Sequence, residues 1–157
     1  SVRSGQYGAL LFLDLDHFKT LNDTMGHEVG DLLLQQVAER LKACVRREDT
    51  VARLGGDEFV LLVESGHAVE DATAVAEKIL AAFNQPFDLD GNKVPMWPSI
   101  GISMYPDHGC DESLLLSHAD TAMYQSKKSG GNQVRIADPT GRPGLAPQDP
   151  PQPDAPH

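Results

Sequence analysis

Along this 157-residue chain the apolar patterns follow the order β-α-β-β-α-β with additions. That order predicts an α+β domain with a ferredoxin-like, mostly antiparallel sheet flanked by helices on one face. Three observations carry the prediction. Short apolar runs bounded by Gly, Asn and Asp mark the strands. Longer segments that repeat their apolar residues at three- and four-residue steps mark the helices. A composition of 40% hydrophobic and 23% charged residues is that of one ordinary globular domain, not of a disordered or fibrous chain.

Residues 7–15 form an apolar run ending in alternating carboxylates, the pattern of a buried strand whose C-terminal end emerges at a polar site. A loop through Asn22, Asp23 and Gly26 is expected next. Over residues 28–45, Val29, Leu32, Leu33, Val37, Leu41, Cys44 and Val45 lie on one helical face, which makes Cys44 a core residue. Residues 51–54 and 59–63 read as a hairpin turned at Gly55 and Gly56. Val69, Ala72, Val75, Ala76, Ile79, Leu80 and Phe83 mark a second helix that stops before Pro86. Residues 86–89 and 99–104 are expected strands, with Asp90, Gly91 and Asn92 as the turn between them. Pro98 cannot donate to a ladder, so it places the start of the latter strand at an edge or bulge. A third helix over 112–128 ends at Gly130 and Gly131, and residues 133–136 form the last strand.

Against 13 Lys+Arg stand 23 Asp+Glu, a formal net charge of -10. A broad positive surface for a nucleic-acid polymer or an anionic membrane is therefore missing, and any phosphate ligand has to be met locally, with metal help. No apolar run approaches the roughly 20 residues that span a bilayer, and the first six residues are no signal peptide, so the chain reads as soluble. Two cysteines, Cys44 and Cys110, show no metal or disulfide spacing and agree with a reducing cytoplasm. Residues 138–157 hold seven of the eleven prolines and a single bulky aliphatic residue, Leu145, so a disordered tail or linker is expected there and the fold is assigned to residues 1–137. The chain starts without Met, close to a strand, and reads as a segment of a longer polypeptide.

Asp14 and Asp16 stand two apart on a strand and project to one face, while Leu15 between them turns inward. Two hard-oxygen donors at a strand end invite a divalent cation such as Mg²⁺, which takes the rest of its shell from phosphates and water; a turn cap explains an isolated Asp-x-Asp equally well. In Gly55-Gly56-Asp57-Glu58 a tight turn without side chains lets a phosphate or ribose approach the backbone. Strand alternation then sends Asp57 and Glu58 to opposite faces, so that only one of them readily faces Asp14. His17 reads as exposed and His27 as loop packing.

Arg53-Leu54-Gly55-Gly56-Asp57-Glu58-Phe59, together with Phe12-Leu13-Asp14-Leu15-Asp16-His17-Phe18-Lys19, Asn22-Asp23 and Gly26-His27, resembles the GGDEF family of diguanylate cyclases. Further pieces in family order are Gly30-Asp31, residues 99–103, residues 105–109, Ala119-Asp120 and residues 124–127. The resemblance implies a nucleotidyl-cyclase-like fold and a reaction between two facing domains of a homodimer, in which two GTP are joined into cyclic di-GMP with release of pyrophosphate. It implies that Asp14, Asp57 and the Leu15 carbonyl hold Mg²⁺ or Mn²⁺, with Glu58 in support. Asp57 would be the general base for the ribose 3'-hydroxyl, Asn22 and Asp31 would read guanine, and Lys19 and Lys127 would bind phosphates. Phe18, Gly55 and Gly56 complete the implied substrate-binding set. Arg46-x-x-Asp49 stands where the family carries its inhibitory site for the product, and an upstream sensor domain is expected in the full-length protein.

Two departures accompany the match. Lys127-Lys128-Ser129-Gly130-Gly131-Asn132 has Gly131 where the family usually has Arg, so Gly131→Arg is expected to restore a phosphate contact. The family's leading helix is not found before Tyr7. Three functions compete on these residues: an active diguanylate cyclase, a non-catalytic module that binds GTP or cyclic di-GMP and regulates an attached domain, and a nucleotidyl cyclase or polymerase relative with another base preference.

Overall fold

Odd and even residues of the first strand are all buried, so the strand needs cover on two sides. In the computed structural model of the chain, which describes residues 8–64, 68–105 and 112–137, two helical layers supply it. The elements run β1 (Gly8–Leu15), α1 (Phe18–Met25), α2 (His27–Lys42), β2 (Thr50–Gly55), β3 (Glu58–Glu64), α3 (Ala68–Ala82), β4 (Phe87–Leu89), β5 (Asn92–Val94), β6 (Pro98–Tyr105), α4 (Glu112–Lys128) and β7 (Gln133–Ile136). The main sheet has the order β2-β3-β1-β6-β7. Its antiparallel part, β2-β3-β1-β6, is the predicted ferredoxin-like core, and β7 adds to it in parallel after the α4 crossover.

Ala9, Leu11, Leu13 and Leu15 pack with Leu33, Val37 and Leu41 of α2, with Cys44 just beyond it, and with Ala72, Ala76 and Ile79 of α3. Leu10 and Phe12 pack on the other side with Leu115, Ala119 and Met123 of α4. Helices therefore cover both faces, not one. The reason is legible in β1 itself, whose apolar run does not alternate with polar residues and needs two dry faces.

Three further expectations change. The segment after β1 is a helix, not a loop: Phe18, Leu21 and Met25 recur at helical spacing over two turns, and Gly26 at φ 98 ends it. The turn at Asp90 and Gly91 joins β4 to β5, a separate two-stranded sheet, and does not lead into β6. Pro98 sits at neither an edge nor a bulge, because β6 lies between β1 and β7; as the first residue of the strand it is opposite Leu15, where no ladder is interrupted. The expected tail, residues 138–157, lies outside the described residues, as does Cys110.

One joint fastens α2 to the end of α3. The Arg40 guanidinium lies 3.6 Å from the Phe87 ring centroid and donates to the carbonyls of Ala82, the last residue of α3, and of Gln85 and Pro86 just beyond it.

Helix α4 rests on β6 at Gly101, where a Cβ would run into the Ala119 carbonyl oxygen and the Met123 nitrogen. Backbone cannot yield as a side-chain tip does. Gly101→Ala is therefore expected to cost more than about 2 kcal/mol, read as a lower urea midpoint at unchanged slope.

Candidate active site

Two rows of side chains run in step between β1 and α4. Leu10, Phe12, Asp14 and Asp16 follow at two-residue steps on the strand side, and Leu115, Ala119, Met123 and Lys127 at four-residue steps on the helix. Two strand residues advance about 6.6 Å and four helical residues about 6 Å, so the rows stay matched. Where the strand row changes from apolar to acidic, the helix row changes from Met to Lys. Lys127 Nζ lies 3.5 Å from Asp14 Oδ2 and 3.8 Å from Asp16 Oδ1, with its side chain only 15% exposed.

Asp14 stands opposite Glu58 on β3 and opposite Ser99 on β6. Asp57 lies in the turn before β3, outside strand alternation, so Asp57 and Glu58 both line the cleft with Asp14. This corrects the expectation that only one of them faces it. Burial drives the Asp14 carboxyl from its ordinary value of 3.8 up to about 8, aided by a hydrogen bond and charge repulsion from Asp57 and by Glu58, and opposed by Lys127. Glu58 is likewise pushed up, first by burial, then by Asp120 and Asp57.

The cleft encloses about 440 Å³. Of the residues expected there it gathers Asp14, Leu15, Asp16, Phe18, Lys19, Asp57, Glu58 and Lys127, and it adds His17, Thr20, Gly130 and Gly131. His17 is exposed, as expected, and turns the chain at φ 63 into α1, which carries Phe18 and Lys19 into the cleft wall. Asn22, Asp31, Gly55 and Gly56 are not among the lining residues. Asn22 lies on α1 with its carboxamide oxygen against Gly30 and its Nδ2 donating to His27 Nδ1 at 2.8 Å. His27 thus opens α2 and is not loop packing. Asp31 lines a second cleft of about 480 Å³, between α2 and the β2–β3 hairpin, with Lys42, Arg53 and Phe59. Gly55 pairs with Glu58 across the hairpin, and Arg53 Nε donates to the Gly56 carbonyl.

Arg46 and Asp49 meet through the backbone: the Asp49 carboxylate accepts from the Arg46 N–H at 3.0 Å. The Arg46 guanidinium turns instead to Asp71 at 3.7 Å and Glu48 at 3.9 Å and stays exposed.

Hard-oxygen chemistry fits this cleft. Asp14 Oδ1 is buried with no hydrogen-bond partner, an oxygen left for a ligand other than protein. Among the described residues no three His, Cys, Asp or Glu side chains form a closed cage. A cation here would draw on Asp14, Asp57, the Leu15 carbonyl, phosphates and water, the shell Mg²⁺ prefers. No helix among the described residues is long and apolar enough to cross a membrane.

The family model described as diguanylate cyclase, GGDEF domain, matches residues 1–133, so the chain belongs to the GGDEF family. It is 48% identical over 132 residues to the bifunctional diguanylate cyclase/cyclic di-GMP phosphodiesterase MucR of Pseudomonas aeruginosa, covering 84% of this chain and 19% of MucR. It is 42% identical to the cyclic di-GMP phosphodiesterase NbdA of the same organism, covering 82% of this chain and 16% of NbdA. The chain thus spans less than a fifth of these relatives. The crystal structure of the GGDEF domain of TpbB from P. aeruginosa superimposes with a TM-score of 0.83 at 40% identity, covering 86% of this chain and 84% of that one.

Gly131 adopts φ 77, and a Cβ there would strike the Asp16 carboxylate, which Lys127, Ser99 and Asn132 hold in place. This reverses the expectation for Gly131→Arg. The variant should lose ~1–3 kcal/mol of stability and gain no affinity for GTP, checked by thermal unfolding and calorimetric titration. The raised Asp14 pKa has its own consequence. Between about pH 4 and 8 the folded, metal-free domain binds a proton that the unfolded chain does not, so the stabilisation is complete below about pH 4 and lost as pH rises through about 8. Its melting temperature should fall from pH 5 to 8, fall less in Asp14→Asn, and recover at pH 8 on adding Mg²⁺, which replaces the proton.

Proposed function

We propose that this domain is a diguanylate cyclase that condenses two GTP into cyclic di-GMP at the interface of two facing copies. The observation that carries the reading is the gathering of Asp57, Glu58 and Lys127 around the Asp14 carboxylate in one cleft, with Lys127 on Oδ2 and the buried Oδ1 left without a partner. Phosphoryl transfer asks a protein for positioning and charge neutralisation more than for covalent chemistry, and this cleft offers both within an acidic chain.

In each half-reaction the 3'-hydroxyl oxygen of one GTP bonds to the α-phosphorus of the other, the bond from that phosphorus to the β-phosphate bridge breaks, and pyrophosphate leaves. Two such steps close the ring and release two pyrophosphates. Asp57 accepts the hydroxyl proton. Lys19 from α1 and Lys127 from α4 approach the phosphates from two sides of the cleft. Asn22 and Asp31 read the guanine edge, an amide and a carboxylate matching its acceptors and donors. Asp14, Asp57 and the Leu15 carbonyl, with Glu58 in support, would hold Mg²⁺ or Mn²⁺, which would supply charge neutralisation at the phosphates. Cyclic di-GMP returns as an inhibitor at Arg46 and Asp49, where the guanidinium exchanges its surface carboxylates for the product. The domain works in the cytoplasm within a longer signalling protein that carries an upstream sensor.

Gly131 favours a second reading, a regulatory module that binds GTP or cyclic di-GMP without turnover, because the turn excludes the family's arginine. Incubation with GTP and Mg²⁺ followed by nucleotide chromatography separates the two. The cyclase reading expects cyclic di-GMP, lost with EDTA, restored by Mg²⁺ or Mn²⁺, and lowered at least ~10²-fold in Asp57→Asn. The same assay expects Arg46→Ala to keep the initial rate while its calorimetric affinity for cyclic di-GMP falls ~10-fold. Bound GTP without product identifies the module, and synthesis that persists in EDTA overturns the metal assignment.

A further inference from the structure

The two aspartates of the Asp14-x-Asp16 pair are engaged differently. Asp14 keeps a buried oxygen without a partner. Asp16 has both oxygens engaged: Oδ1 accepts from the Ser99 hydroxyl at 2.7 Å and faces Lys127 Nζ at 3.8 Å, and Oδ2 accepts from the Asn132 N–H at 2.9 Å. Its own N–H donates to the Trp97 carbonyl at 2.8 Å. These partners come from β6, from the end of α4 and from the turn before β7, so one carboxylate ties three separate segments to the end of β1. Ser99 is fully buried and cannot swing away.

The turn itself is built around that carboxylate. Gly131 N–H donates to the Ser126 carbonyl at 2.9 Å, and the Ser126 hydroxyl donates to Ile100 of β6 at 2.9 Å. Gly131 leaves just the room that Asp16 fills.

We propose that Asp16 is a positioning residue, not a metal ligand: it fixes Lys127 and residues 130–132 as one preset wall of the phosphate side of the cleft, so that Lys127 stays in the cleft when it exchanges Asp14 for a phosphate. The phosphate part rests on the nucleotide reading above, whereas the anchoring of the wall does not. Asp14 and Asp16 thus divide the labour, one oxygen kept open for the ligand and the other carboxylate spent on holding the cation that meets it.

The test uses the whole chain in two arms. In the first, amide hydrogen exchange is followed by NMR without ligand. Asp16→Ala should speed exchange at Asn132 at least ~10-fold while leaving Ile102 on β6 protected, and Asp16→Asn, which keeps an acceptor oxygen, should protect Asn132 nearly as well as wild type. Should Asp16→Ala not fold, Ser99→Ala replaces it, with a smaller acceleration at Asn132. In the second arm, calorimetric titration of GTP with Mg²⁺ forms a cycle. Asp16→Asn and Lys127→Ala should each weaken binding ~10-fold, and the double variant should be no weaker than Lys127→Ala alone, because the charge of Asp16 acts through Lys127. Unchanged Asn132 exchange in Asp16→Ala, or losses that multiply to ~100-fold in the double variant, would overturn the positioning role. Wild type that binds no GTP would instead overturn the nucleotide reading and the phosphate part with it, and the exchange arm would still decide the anchoring.

Discussion

The ammonium of Lys127, held between Asp14 and Asp16, is the interaction on which the rest of the site depends. Four acidic side chains crowd one end of the sheet, and a buried carboxylate without compensation is costly. Two devices keep the cluster folded: the lysine delivered by the last turn of α4, and the proton that burial and repulsion hold on Asp14. The ion pair adds little net stability, since a buried pair barely recovers its desolvation. Stability comes from the matched apolar rows that precede it, Leu10 and Phe12 against Leu115, Ala119 and Met123. Those rows bring the helix end to the acids, and Gly101 fixes how closely.

The residues implied for base reading stand apart from that cluster. Asn22 is held by Gly30 and His27 at the junction of α1 and α2, and Asp31 faces the neighbouring cleft with Arg53 and Lys42. Asp14 is on β1, Asn22 on α1 and Asp31 on α2, so a ligand that engages all three needs an extended shape that reaches three consecutive elements. A triphosphate joined to a base through a sugar has that extended shape.

Apolar periodicity made α2 and α3 legible and apolar runs marked β1, β3 and β6, whereas the hairpin was legible from Gly55 and Gly56, since β2 is mostly exposed, and the end of α4 from Gly130 and Gly131. Helix α1 was hidden by its length: two turns place just Phe18, Leu21 and Met25 inward, and Asn22, Asp23 and Gly26 look like a loop. Strand β4 was legible, but its three-residue partner β5 is too short to alternate visibly, so the turn at Asp90 was joined to the wrong strand. Asp14, Asp57, Glu58 and Lys127 were found through their motif. Asp16 was visible only as half of a pair, since its partners Ser99 and Asn132 lie 83 and 116 positions away and nothing local announces them. Gly131 was misread for the same reason: its need for a positive φ beside a carboxylate is a tertiary fact.

Elsewhere in the molecule the Arg40 joint answers to different physics. Its charge is met by carbonyl dipoles and aromatic faces instead of by carboxylates. Burial lowers its pKa, yet a guanidinium keeps its proton throughout the range in which proteins stay folded. The link between α2 and the end of α3 is thus indifferent to acidity, while the end that holds Asp14 responds to it. Titration loosens the ligand-facing corner and leaves this buttress untouched, so a single domain combines a tunable mouth with an inert frame.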